Sequence, residues 1–181
     1  MRASRLVILI TILLALAACG GSPAAAPPTS NAQAAVPLVD IDLAPLLIQS
    51  GDLPTGLSGA QVKDIVPPGL KGAPTPAKAI DQRFQHNGNN AGGVVVLLYE
   101  ASADVESAFR LAVGEGKNSE PQYGVGDTAR VWSPNDVLPR ARVAFTRCHA
   151  YIDITFGQAS IDEVTAYAKR LDQRLQPLAC R

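Results

Sequence analysis

Apolar and polar residues follow two different periods along the chain. Runs rich in Val, Ile and Leu, bounded by Gly, Pro and Asn, predict strands over 60–66, 79–86, 93–100, 128–132, 141–147 and 149–156. Helical spacing of apolar residues follows Ser102 and Ser160, which we expect to cap two helices. The first has a stripe of Val105, Ala108, Phe109, Ala112 and Val113, and the second has a stripe of Ile161, Val164, Ala168, Leu171 and Leu175. A shorter amphipathic helix is predicted over 41–48.

The predicted elements follow the order αβββαβββα. This order is typical of an α+β domain, with helices packed on one face of an antiparallel sheet. Residues 94–99 are apolar at both alternating positions, which indicates a central strand covered at least in part on both faces. Ser102, Asp104 and Ala108 match Ser160, Asp162 and Ala166 at a constant offset, so an internal duplication is one interpretation. The other is that any capped helix begins in this way.

Alternation within the strands predicts a polar sheet face opposite the core. Val143, Phe145, Ile152 and Ile154 would point inward, and Asp81, Arg140 and Thr155 outward. The candidate binding residues on this polar face are Arg83, Arg130, Trp132, Arg142, Tyr151 and Asp153. Arginine beside aromatic rings suits an anionic or sugar-like ligand or a protein partner. A half-solvated sheet also carries paired charges for structural reasons alone.

The beginning of the chain has the features of an export signal. Arg2 and Arg5 precede an apolar run over 6–16, which is shorter than the roughly 20 residues that a membrane-spanning helix needs. Leu16-Ala17-Ala18-Cys19 resembles the lipobox of bacterial lipoproteins. The resemblance implies that 1–18 is a cleaved signal peptide and that Cys19 carries acyl chains such as palmitate. A plain secreted protein is the alternative.

This resemblance also implies a location and a partner. Acylated Cys19 would anchor the chain in the lipid bilayer of the cell membrane or outer membrane, with the domain extracytoplasmic. Residues 20–39 lack charged and aromatic side chains, which is typical of a flexible tether. We therefore expect a tether over 19–39 and a single domain over 40–181.

Two further cysteines, Cys148 and Cys180, favour a disulfide in an exported domain. The last predicted strand and the helix after it have similar lengths, so the helix would bring Cys180 back beside Cys148. Metal ligation by Cys148 and His149 is disfavoured, because neighbouring strand residues point to opposite faces.

Composition narrows the function classes. Sixteen basic residues balance sixteen acidic ones, so the chain lacks the positive charge typical of nucleic-acid binding. We identify no catalytic residues, no metal site and no cofactor motif. His86 ends a strand beside an Asn-rich turn and is expected to be solvated, whereas His149 is expected on the polar face.

The capped final helix, paired strands and late cysteine pair resemble the extracytoplasmic sensor-type domains of some bacterial kinases and lipoproteins. Those domains generally carry two disulfides, whereas this chain can form one. The resemblance favours a non-catalytic domain that binds a small ligand or an envelope protein. A cell-envelope hydrolase and a passive assembly or structural subunit are the alternatives.

Overall fold

The structure, a computed structural model, describes residues 37–49, 51–54, 57–63, 72–114, 120–121, 124–135 and 139–180. The predicted signal peptide 1–18, the lipobox with Cys19 and the tether up to residue 36 lie outside the described residues. Within these ranges, no helix combines the length and hydropathy needed to cross a membrane.

The described residues form one antiparallel sheet and two α-helices. The strands are β1 (Ser58–Lys63), β2 (Lys78–His86), β3 (Asn89–Leu98), β4 (Glu120–Pro121), β5 (Thr128–Trp132), β6 (Arg140–Arg147) and β7 (Ala150–Gly157). Helix α1 spans Ser102–Val113 and helix α2 spans Ile161–Ala179. The strand order is β1-β2-β3-β7-β6-β5-β4, so two meanders join where β3 pairs with β7. The predicted α+β class and the series of strands and helices are confirmed; the short β4 was not predicted.

The larger core lies between one sheet face and α2. The strand residues predicted to point inward are buried there, and α2 adds Val164, Tyr167, Ala168, Leu171 and Leu175. The rings of Phe84, Phe156 and Tyr167 meet at centroid distances of 5.1 and 5.8 Å. Each such aromatic pair contributes about 0.5–1.5 kcal/mol beyond its buried area. This contact fixes the sheet face that α2 covers, and the polar face is the opposite one.

Helix α1 differs from its predicted place, because it packs on the polar face. Its residues Val105, Ala108 and Phe109 are buried against Leu97 and Tyr151. These strand residues make one end of the polar face apolar, and α1, which begins soon after β3 ends, covers that end. Residues 94–99 are apolar at both alternating positions because α2 covers one face of β3 and α1 partly covers the other.

The placement of the helices bears on the proposed duplication. A two-fold axis that exchanges the antiparallel neighbours β3 and β7 runs perpendicular to the sheet, and it would leave both helices on the same face. Since α1 and α2 lie on opposite faces, the structure does not show the duplication.

The helix predicted over 41–48 is replaced by two 3-10 turns, at Leu38–Asp40 and Ala44–Leu46. Pro45 lacks an N–H, so it cannot donate the intrahelical hydrogen bond that a continuous helix over 41–48 requires at this position. The Asp42 carboxylate accepts a hydrogen bond of 2.9 Å from the N–H of Ala44, which supports the second turn. Leu38 and Ile41 are buried in the core, so ordered packing begins slightly before the predicted boundary at residue 40.

The disulfide prediction is confirmed. Cys148 and Cys180 are bonded, with Cα atoms 5.2 Å apart. Beside them Arg147 binds Asp172 of α2 through two hydrogen bonds, of 2.5 and 2.7 Å, and binds Asp127 at 2.7 Å. The backbone N–H of Cys148 donates to Asp127 at 2.7 Å. The disulfide and the Arg147–Asp172 ion pair together attach the C-terminal half of α2 to β6 and to the turn that follows it.

Candidate functional site

The part of the polar face that α1 leaves uncovered forms a cavity of about 460 Å³, which we call the arginine cavity. Its charged walls are Arg83, Arg140, Arg142 and Asp153, and Gly93, Val95 and Thr155 lie between them on β3 and β7. Gly92 and Pro139 complete the lining. This volume lies in the range typical of small-ligand sites.

Glycine gives the cavity its floor. A Cβ atom at position 93 would lie 3.0 Å from Cδ of Arg83 and 2.8 Å from the backbone oxygen of Gln82. Glycine therefore lets the Arg83 side chain lie across β3. Gly92, at φ 141°, sits at a β-bulge, where a Cβ atom would lie 1.9 Å from the backbone oxygen of Thr155. The Gly-Gly pair thus keeps β3 close to β7 under the cavity.

Arg142 makes contacts with the sheet and with α1 that fix its side chain. Its Nε and Nη2 donate to the two oxygens of Asp153 at 3.0 and 2.5 Å, and Nη2 also lies 3.4 Å from the carbonyl oxygen of Ala112 in α1. The guanidinium stacks 4.5 Å from the centroid of the Trp132 ring. Tyr151 donates its hydroxyl to Asp153 at 2.9 Å. Arg142 therefore joins α1 to the sheet and forms one fixed wall of the cavity.

The surroundings of Tyr151 and Arg142 keep both side chains protonated. Burial, and then the charge of Asp153, raise the pKa of Tyr151, so its hydroxyl keeps its proton and remains a donor. Burial lowers the pKa of Arg142, but the hydrogen bond and charge of Asp153 outweigh burial and raise it. Arg142 and Asp153 form an ion pair, so their opposite charges offset each other within the protein.

Arg83 is more accessible. Its Nε and Nη2 both bind one oxygen of the buried Asp81, at 2.6 and 2.5 Å, while 47% of the Arg83 side chain remains exposed. The second Asp81 oxygen has no hydrogen-bond partner among the described residues. One edge of the Arg83 guanidinium is thus fixed below, which leaves the rest of the group turned to the cavity.

Arg140 gives the arginine cavity an excess of positive charge. No acidic partner of Arg140 occurs in the described parts of the chain, and its backbone is paired opposite Gly157. Three arginines thus face two carboxylates, those of Asp81 and Asp153, around the arginine cavity. The local charge is positive in a chain whose total charge is zero, and this favours an anionic group in the cavity.

A second cavity, of about 470 Å³, adjoins the first at the end of the sheet. We call it the hairpin cavity, because its lining includes Asn87, Asn89 and Asn90 from the turn between β2 and β3. His86, Ala91, Gly157 and Gln158 also line it. The two cavities share Pro139 and Arg140. They therefore follow one another along the same strands, on either side of Arg140.

The structure separates the six predicted binding residues into two groups. Arg83, Arg142 and Asp153 line the arginine cavity. Tyr151 is 2% exposed under α1, Trp132 packs in the same cluster, and Arg130 lines neither cavity. Helix α1 thus buries Tyr151, and Arg130 and Trp132 lie outside the two cavities.

Sequence reasoning directed Arg140 and Thr155 to the polar face but did not select them as binding residues. It interpreted the Asn-rich segment only as a turn. The signal that was available is a mid-strand Gly92-Gly93 pair next to an arginine of the neighbouring strand, since glycine inside a strand marks close approach of other groups.

The histidines have separate places. His149 lies in the turn between β6 and β7, where its Nδ1 is 3.1 Å from the carbonyl oxygen of Tyr99, rather than on the open part of the polar face. His86 lines the hairpin cavity and is half-buried, beside Asn87. Over the ranges that the structure describes, no three His, Cys, Asp or Glu side chains are grouped to hold a metal ion.

Comparison of the chain with protein-family models, curated proteins and solved structures gives no match. Function must therefore be argued from the two cavities and from the N-terminal sequence.

Proposed function

We propose that this protein is a membrane-anchored bacterial lipoprotein whose extracytoplasmic domain binds an anionic ligand without chemical conversion. The observation that carries the binding proposal is that Arg83 and Arg140 both line the arginine cavity, from strands on its two sides. The lipobox residues Leu16-Ala17-Ala18-Cys19 carry the anchoring proposal.

The charges of the cavity support binding rather than acid–base chemistry. Asp153 accepts hydrogen bonds from both Arg142 and Tyr151, so both of its oxygens are already occupied within the protein. A general acid or base instead needs an oxygen within hydrogen-bond reach of the substrate. Arg83 and Arg140 retain donors that can bind a carboxylate or phosphate in two-pronged geometry.

The binding proposal is tested on the full chain in neutral detergent, titrated with D-galacturonate and with neutral D-galactose. We expect galacturonate alone to bind, more weakly as salt is added. The double variant Arg83→Ala/Arg140→Ala should weaken binding by about tenfold or more. Arg130→Ala is the matched control, because Arg130 lies on the same face outside both cavities. Equal losses in both variants, or no binding of galacturonate, would contradict the proposed site.

The anchoring proposal is tested in cells fed an alkyne analogue of palmitate. The protein should incorporate the label and lose residues 1–18, as intact mass reports. Cys19→Ala should abolish labelling, while Ser22→Ala, a change in the tether, should leave it intact. A mature protein without label would overturn the proposed anchor. This readout does not depend on membrane retention, which an uncleaved signal could also cause.

A further inference from the structure

The two cavities share Pro139 and Arg140, and we take them as the two halves of one groove. Along β3 the lining changes from Val95, Gly93 and Gly92 to Ala91, Asn90 and Asn89, and along β7 it changes from Asp153 and Thr155 to Gly157. Asn89 and Val95, the β3 residues at the two ends of this lining, are about 20 Å apart at the rise of an extended strand. A groove of this length exceeds one sugar ring or one small anion.

The two halves offer different chemistry. The arginine cavity presents cationic donors, whereas the hairpin cavity presents amides, which both donate and accept hydrogen bonds. In the part of the chain that the structure describes, no partner is present for the Gln158 side chain or the Thr155 hydroxyl. The Asn89 amide nitrogen makes one 3.5 Å contact, to the backbone oxygen of Asn87. A ligand that fills both halves therefore needs an anionic group next to neutral groups that donate and accept hydrogen bonds.

The floor of the groove disfavours an extended peptide that would add a strand to the sheet. One common mode of peptide binding pairs the peptide backbone with an exposed strand edge. Here the groove crosses the face of β2, β3 and β7, whose backbone groups already bond to one another. Side chains therefore supply most of the available contacts, and the hydroxyl groups of a sugar match the amide side chains.

We propose that the groove binds an acidic oligosaccharide, with one carboxylate at Arg83 and Arg140 and the following sugar units along Asn89 and Gln158. This inference rests on the proposed anion site and names the class of its ligand. Additional units gain affinity because the first contact holds them next to the amides.

Chain length tests the inference. The full chain in neutral detergent is titrated with galacturonate, tetragalacturonate, neutral maltotetraose and tetraglutamate. We expect tetragalacturonate to bind about tenfold or more tightly than galacturonate, maltotetraose not to bind, and tetraglutamate to bind no better than galacturonate. The double variant Asn89→Ala/Gln158→Gly should reduce tetragalacturonate to the affinity of the monomer and leave galacturonate unchanged. Glycine suits position 158, where φ is 62°.

Other outcomes would overturn the inference in distinct ways. If galacturonate binds through Arg83 and Arg140 but chain length has no effect, the anion site stands and the saccharide groove is wrong. An unchanged affinity of the double variant for tetragalacturonate would reject the amide half of the groove. Tetraglutamate binding as tightly as tetragalacturonate would show that the groove takes acidic chains in general. Loss of binding to galacturonate itself would instead count against the proposed function.

Discussion

Asp52 and Arg174 are joined by two hydrogen bonds, of 2.6 and 3.0 Å, although 122 residues separate them in the chain. Arg170, one turn earlier on α2, also binds Asp52 at 3.2 Å and lies 6.0 Å from the centroid of the Tyr167 ring. Asp52 is buried, and both arginines are partly exposed. The segment that leads from the N-terminus into the domain is thus attached to α2 by a charged contact.

We predict that Asp52→Asn lowers the free energy of unfolding by about 1–3 kcal/mol at neutral pH, because it removes a buried charge that accepts several hydrogen bonds. The cost stays below that of a fully buried pair, since both arginines can regain water. Denaturant unfolding checks the value. Asp40→Asn, an exposed change in the same segment, should have little effect.

The same contact predicts a pH dependence. Burial raises the pKa of Asp52, but hydrogen bonds from Arg174 and from the N–H of Gln49, with the charges of both arginines, outweigh it and hold the pKa below its ordinary value of 3.8. A lowered pKa in the folded state stabilises the fold above the unfolded-state pKa, and the stabilisation is lost as the pH falls through the folded-state pKa. The stability difference between wild type and Asp52→Asn should therefore shrink from about pH 7 to about pH 3. A difference that grows on acidification would contradict this account.

Two glycines of the β2–β3 hairpin should respond very differently to alanine. At Gly92 a Cβ atom would meet the backbone of β7, whereas at Gly88 no atom of the described residues lies within 4 Å of such a Cβ atom. We expect Gly88→Ala to cost about 1 kcal/mol, the strain of a positive φ. Gly92→Ala should cost more than about 4 kcal/mol or prevent folding, because β3 and β7 must separate. Circular dichroism and urea unfolding would measure both. A fully folded Gly92→Ala protein of near wild-type stability would show that the bulge relaxes easily.

The two serines that were predicted to cap helices provide a matched pair. Ser160 accepts from the N–H of Glu163 at 3.2 Å, and the Glu163 carboxylate accepts from the N–H of Ser160 at 2.8 Å. The N-cap of α1 is Ala101, and among the described residues no side chain makes a capping hydrogen bond to that helix. We therefore expect Ser160→Ala to destabilise the protein by about 1 kcal/mol and Ser102→Ala by much less. Thermal unfolding of the two variants tests this, and equal losses would show that Ser102 also acts as a cap.

These outcomes show which features the sequence could specify. Alternation within a strand is local, so Val143 and Ile154 were correctly directed to the core and Arg142 and Asp153 to the other face. The face chosen by α1 is not local, because it depends on Leu97 and Tyr151, which lie far apart in sequence and become neighbours only when β3 pairs with β7. The same nonlocal contact removed Tyr151 from the predicted binding surface.

The candidate site also depends on contacts between residues that are far apart in sequence. Arg140 and the Asn-rich turn lie more than 45 residues apart in sequence, and they meet because the β3–β7 and β6–β7 pairs align their ends. Sequence alone lists polar residues at the ends of strands but does not say which ends coincide. The register of those two strand pairs determines which residues line the groove.

The disulfide should contribute a large share of the stability of the domain. The Cys148–Cys180 bond closes a loop with a sequence separation of 32, for which the chain-entropy model gives about 4 kcal/mol. We expect the variant Cys148→Ala/Cys180→Ala to lose about this amount in denaturant unfolding. Cys19→Ala, which removes the remaining cysteine outside the bond, should leave the stability unchanged.

Thiol labelling tests the pairing itself. In Cys19→Ala protein, a thiol reagent should label no cysteine before reduction and both cysteines after it. Labelling of Cys148 in oxidised protein would contradict the pairing. Because Arg147 still binds Asp172 and Asp127 without the disulfide, the double variant should keep its fold under mild conditions and fail only as denaturant or temperature rises.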